Sequence, residues 1–149
     1  VSFSYGTPIR VTSVLDGDTL VLENGESVRY NGIDTPELHH PKKPEQCFAK
    51  EAAERNRALV EGALITVERD ISEKDRYGRW VGIVFLEDGT NVNEVLVREG
   101  FAFAYPYKPD ITHKALFASA QAEAKAYQRG LWSACTVTGG SGRKQTEGI

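Results

Sequence analysis

The dipeptide Asn24-Gly25 constrains this chain more than any other feature. It lies between "TLVLE" (19–23) and "VRYNGI" (28–33), two runs of β-branched and apolar residues at strand spacing. Asn-Gly in that setting is the strongest short hairpin signal, because both central residues of the tight turn need a positive φ. A third run, "IRVTSV" (9–14), comes first. Three successive strands are therefore expected, with Gly32 placed for a bulge near the end of the third.

Downstream the period changes. From about 47 to 61 the apolar residues Phe48, Ala52, Leu59 and Val60 recur on one helical face, and Gly62 suits the left-handed stop. "LITVER" (64–69) and "WVGIVFL" (80–86) read as strands around a polar loop, 70–79. "NVNEVLVREG" (91–100) is a short helix begun by Asn and closed by Gly. Two prolines keep 101–110 extended, and a last helix is expected over about 112–128. From Thr136 onward "TVTGGSGRKQTEGI" has the composition of a flexible tail, so the ordered domain is expected to span 1–135 and the tail 136–149. Five strands with a helix between the third and fourth, and three helices in all, is the plan of an α+β domain built on a five-stranded Greek-key barrel, the OB-fold. That fold holds many functions, so function must come from a site.

A chain of 149 residues with 40% hydrophobic and 26% charged content is one soluble domain with a real core. No apolar run approaches a membrane span. Val1 is followed by no export signal, which was either absent or removed. A net charge of −3 does not advertise a polyanion binder, although local clustering governs what a cleft attracts. Cys47 and Cys135 fit no metal-ligand spacing; they form a bridge in an exported protein or remain two quiet thiols.

The chemistry concentrates at strand ends. "DGDT" (16–19) sits where the first strand turns into the second, and "IDTPE" (33–37) ends the third. With a short loop around Asn24, the residue opposite Asp18 is expected among Asn31, Gly32 and Ile33, which brings Asp34 within about 4–10 Å of Asp18. Two anions so close need a cation between them. Carboxylates with the Thr35 carbonyl are hard oxygen donors that suit Ca²⁺ or Mg²⁺ and argue against zinc. Pro36 stiffens the turn, so Glu37 is held beside that site as a candidate general base. Arg29 and Arg79 can clamp a phosphodiester there. Strict alternation would point Arg29 and Asp34 to opposite faces, so a bulge at Gly32 or a turn at the strand end is required for both to line one site. Lys42, Lys43, Arg76 and Lys108, with His39 and His40, would surround the acids with a basic mouth.

Together "DGDT", "VRYNGIDTPE", "HPKK", "DRYGR", "VNEVLVREGFA", "YPYKP", "TH" and "GLWS" resemble the staphylococcal nuclease family, in order and at close to its spacing, over residues 9 to 133. The resemblance implies a calcium-dependent phosphodiesterase of the micrococcal type that cleaves DNA and RNA, leaves 3′-phosphate ends, and works as a secreted or periplasmic monomer with no membrane or protein partner. It assigns Asp18, Asp34 and the Thr35 carbonyl to Ca²⁺, with Asp16 behind them. It makes Arg29, Glu37 and Arg79 catalytic, and Lys43, Tyr77, Tyr105 and Tyr107 substrate-binding. His113 with Glu68 would be a structural pair. The acidic net charge, a slightly shorter loop before Asp75 and the two cysteines depart from the well-known member. The alternative is an OB-fold module that holds single-stranded nucleic acid without cutting it.

Overall fold

Asn24 and Gly25 do turn the chain. In the computed structural model, which describes residues 1–149, Gly25 has φ +86° and the Glu26 N–H donates to Asn24 Oδ1 at 2.9 Å. Strands β1 (Ile9–Asp16), β2 (Thr19–Leu22) and β3 (Ser27–Tyr30) follow one another antiparallel, with Thr19 opposite Arg29. The chain then bends, and a two-residue strand β4 (Ile33–Asp34) leaves the barrel.

Helix α1 (Ala49–Val60) leads to β5 (Leu64–Glu68) and β6 (Trp80–Leu86), which pair antiparallel. β6 lies parallel to β3, with Val28 opposite Trp80, and β5 returns to β1. The result is the expected closed barrel, in the order β1-β2-β3-β6-β5. Closure leaves no barrel strand with an unpaired edge along its whole length. Leu20, Val28, Val67, Ile83 and Val84 of its strands are fully buried in the core, at about 1.5–3 kcal/mol each for a large apolar side chain.

Helix α2 (Val92–Arg98) is capped as expected: the Glu94 N–H donates to Asn91 Oδ1. Strand β7 (Phe103–Ala104) pairs with β4, placing Phe103 opposite Asp34. Helix α3 (Lys114–Ala126) packs Phe117 and Ala120 into the same core as Leu96 and Val97 of α2. A single further turn, α4 (Leu131–Ala134), adds to the three helices expected and buries Leu131.

The segment read as a tail differs most from expectation. Cys135 is bonded to Cys47, and β8 (Val137–Thr138) pairs with β9 (Gln145–Thr146) in a hairpin. Composition missed it because the bonds that hold it are made to another segment. The Cys47 N–H donates to the Glu147 carbonyl, and the Thr146 hydroxyl to the Cys47 carbonyl, both at 2.7 Å.

Candidate active site

The corner between β1 and β2 is an Asx turn: the Asp18 N–H donates to Asp16 Oδ1 at 3.0 Å. Gly17 between them leaves no room for a side chain, since a Cβ there would lie 2.8 Å from both Ala52 of α1 and Thr35. Helix α1 and the loop after β4 thus close directly on the acidic corner.

The register corrects the sequence argument. Tyr30, not Asn31, Gly32 or Ile33, stands opposite Asp18, and the Tyr30 N–H donates to the Asp18 carbonyl at 2.9 Å. Asp34 reaches the site through the bend. Gly32 has φ +77°, and a Cβ there would overlap Phe117 at 2.5 Å. Only glycine fits both demands. Asn93 of α2, fully buried, secures the bend by donating to the Asn31 carbonyl at 2.8 Å. Arg29 spans it, with Nη1 donating to the carbonyls of Tyr30 (2.6 Å) and Ile33 (3.0 Å). Its Nη2 then lies 3.3 Å from Asp18 Oδ2 and 3.5 Å from Asp34 Oδ1. Two buried carboxylates therefore converge on one cationic nitrogen.

Their environments separate the acids. Burial and the adjacent Asp18 charge push Asp16 from 3.8 up to about 7, so it holds its proton through the mildly acidic range. Burial also opposes ionisation of Asp18, but Arg29, the hydrogen bond from Asp16 and the Thr35 N–H outweigh it and hold Asp18 below the ordinary value. The Thr35 N–H reaches Asp18 Oδ2 at 3.0 Å. Asp34 is raised, by burial first and then by the Asp18 charge, against the opposing pull of Arg143 and Arg29.

This donor set fits a hard divalent cation. Asp18 and Asp34 are 6% and 5% exposed, ionised acids too buried to be solvated freely, and they already surround a positive centre. Thr35 is as buried as they are, and no N–H of the fold donates to its carbonyl. Oxygen donors of this kind suit Ca²⁺ or Mg²⁺. Beside them, Glu37 is held by its backbone: its N–H donates to Gln46 Oε1 at 2.8 Å, and its carbonyl accepts from the Gln46 N–H at 2.9 Å. Its side chain stays 40% exposed, open to water and substrate.

Most of the remaining sequence candidates are held by partners of their own. Arg79 precedes the parallel ladder in which Arg29 faces Val81, so alternation puts both arginines on one face. Its guanidinium is not on the acids. It is tied to Asp75, Nε to Oδ2 at 2.8 Å, and lies 5.3 Å from the Tyr77 ring centroid. Tyr77 is exposed, with the Arg76 guanidinium 4.9 Å from its ring centroid. Tyr105 is anchored to the bend, its N–H donating to the Gly32 carbonyl at 2.8 Å, and its ring is 6.2 Å from that of exposed Tyr107. Lys42, Lys43 and Lys108 are exposed and Lys43 touches none of the acids. His113 Nε2 is 3.9 Å from Glu68, and its ring stacks on Phe117, away from the acids.

Two residues escaped the sequence reading. Gln46 fixes Glu37, but a lone glutamine before a cysteine carries no signal. Arg143 forks onto Asp34, with Nε to Oδ2 at 3.0 Å and Nη2 to Oδ1 at 3.2 Å, and it comes from the segment read as a tail.

Comparison with known proteins points to one family. A family model described as Staphylococcal nuclease homologue matches residues 27–134. The chain is 34% identical over 128 residues to the thermonuclease of Staphylococcus hyicus, across 83% of this chain and 75% of that protein. It is 40% identical over 128 residues to an uncharacterized endonuclease of Escherichia coli O157:H7, across 83% and 76%. It is also 35% identical over 130 residues to endonuclease YncB of Bacillus subtilis, spanning 84% of this chain and 61% of that protein.

Proposed function

The chain belongs to the staphylococcal nuclease family, and from that premise we propose that it is a Ca²⁺-dependent nuclease that hydrolyses the phosphodiester bonds of DNA and RNA and leaves 3′-phosphate ends. The observation that carries this is the convergence of buried Asp18 and Asp34 on Arg29, beside a positioned and accessible Glu37.

Asp18, Asp34 and the Thr35 carbonyl would hold the ion, with Asp16 fixing Asp18 from behind. A bound Ca²⁺ supplies Lewis-acid stabilisation of the charge that builds on the phosphoryl oxygens. Glu37 orients a water and takes its proton as the water attacks phosphorus; the bond to the in-line 5′ oxygen breaks, and that oxygen takes a proton from solvent to leave as a hydroxyl. Arg29 binds a non-bridging oxygen once the acids have the ion for a partner. Arg79 reaches the same phosphate from the neighbouring strand by leaving Asp75. Both arginines then stabilise the extra charge of the transition state. Tyr105 and Tyr107 offer faces for a base and sugar, and Lys43 and Tyr77 meet a terminal phosphate. A stacking surface of this kind tolerates any base.

The domain would work as a monomer outside the cytoplasm, because a disulfide such as Cys47–Cys135 persists in an oxidising compartment. No helix is long and apolar enough to cross a membrane. Digestion of supercoiled plasmid and of a structureless RNA, with Ca²⁺ and with excess chelator, tests the proposal. Cleavage of both with Ca²⁺ and of neither with chelator is expected. Nucleic-acid binding without cleavage in both conditions would refute it in favour of a binding module.

A further inference from the structure

The C-terminal hairpin is built toward the site. Its base is fastened to 45–47: Cys135 is bonded to Cys47, Gln46 bridges to Gly148, and the Ile149 N–H donates to the Glu45 carbonyl. That is the same segment whose Gln46 holds the Glu37 backbone. The hairpin tip, "GGSGR" (139–143), thereby brings Arg143 onto Asp34. Arg143 occupies both oxygens of Asp34 in a fork, at 3.0 and 3.2 Å. Its Nη2 also lies 3.9 Å from Glu37, and its guanidinium lies 5.2 Å from the Tyr105 ring centroid.

The two arginines on Asp34 differ in kind. Arg29 is built into the bend, with two carbonyls accepting from Nη1 and only 19% of its side chain exposed. The Arg143 side chain is 56% exposed, stands at the end of a glycine-rich tip, and its hydrogen bonds go to Asp34 alone. Each Asp34 oxygen keeps a second lone pair, but a divalent ion there would sit against the positive guanidinium of the fork, so ion and fork compete for one carboxylate. The arm on the glycine-rich tip is the one free to yield.

We propose that Arg143 is a resident counter-cation of Asp34, which a divalent ion must displace, so that the C-terminal hairpin sets the cation affinity of the site. The inference rests on the reading of Asp18 and Asp34 as cation ligands given above. Functionally, the hairpin keeps the acids paired and the site idle where divalent cations are scarce. It yields as their concentration rises, and the disulfide keeps the displaced arginine close enough to return.

Calorimetric titration of Ca²⁺ into the full chain tests this without any nuclease assay. Arg143→Gln removes the fork, and Lys144→Gln removes the same charge one residue away. A charged hydrogen-bonded pair that is half exposed predicts that Arg143→Gln tightens Ca²⁺ binding on the order of three- to tenfold, while Lys144→Gln leaves it within about twofold of the parent. An Arg143→Gln affinity equal to or weaker than the parent's overturns the proposal and leaves the cation site standing. An equal gain in Lys144→Gln also overturns it, since bulk charge would then explain both. If neither the parent nor Arg143→Gln binds Ca²⁺, the cation reading itself fails and this inference falls with it. Binding in the parent that Asp18→Ala abolishes identifies the titrated site as the one described.

Discussion

Replacing Cys47 and Cys135 together with alanine should cost most of what a single covalent link can contribute here. The bridge closes a loop with a sequence separation of 88, and its Cα atoms are 5.9 Å apart, within the range a disulfide spans. In the chain-entropy description a loop of that length removes about 15 cal/mol/K from the unfolded ensemble, or about 4–5 kcal/mol at 25 °C. The native state should lose little else. The bonds that seat the hairpin beside the bridge run between backbone groups, the Thr146 hydroxyl and the Glu147 carboxylate, and none passes through sulfur. For a domain of this size the loss corresponds to about 10–18 °C in Tm. In urea, with a slope of roughly 2 kcal/mol/M, the midpoint should fall by about 2 M. Urea denaturation followed by far-UV circular dichroism, on parent and double-alanine proteins with Ca²⁺ chelated, reads both numbers. A midpoint that moves by less than about 0.5 M at unchanged slope would refute the loop-closure reasoning. A changed slope would instead show that the bridge restricts residual structure in the unfolded chain.

Two further outcomes concern the acids. Glu37→Gln should lower turnover by roughly 10²–10⁴ while Ca²⁺ affinity by calorimetry stays close to the parent's, because Gln preserves shape and removes only the base; near-normal turnover would strip Glu37 of its role. Asp16 in the ion-free protein binds its proton more tightly folded, at about 7, than unfolded, at 3.8. The stability it contributes is therefore fully present below pH 3.8 and is lost as pH rises to about 7, by up to about 4 kcal/mol. Asp16→Asn mimics the protonated acid, so in chelator its stability relative to the parent should grow between pH 4.5 and pH 7.5; a constant gap across that range would refute the assignment.

What could be read from the sequence was whatever local chemistry enforces. Asn24-Gly25 can hardly be anything but a turn, and Asn91 and Gly100 bracket α2 because helix ends need those residues. The need for a bulge at Gly32 or a turn at the strand end was also legible, since strict alternation would point Arg29 and Asp34 to opposite faces. The register was not. One residue of loop length moves the partner of Asp18 from Asn31 to Tyr30, and the sequence contains no term that fixes a loop to one residue. Nor was the hairpin of 136–149 legible, because its stability is borrowed from segment 45–47 across the disulfide.

That division has a functional reason. Asp18, Asp34 and Arg29 are fixed by a corner, a bend and a glycine that tolerates no Cβ, so their convergence belongs to the barrel itself. Arg143 arrives from the C-terminal segment, which contributes no strand to the barrel. An element that must let go of Asp34 needs an anchor elsewhere, which the Cys47–Cys135 bond and the Gln46–Gly148 bridge provide, and a yielding tip, which the glycines at 139, 140 and 142 provide. A composition that looks like a disordered tail is what such an arm requires. The same glycines that hid the hairpin from the sequence reading leave Arg143 free to exchange Asp34 for a divalent ion.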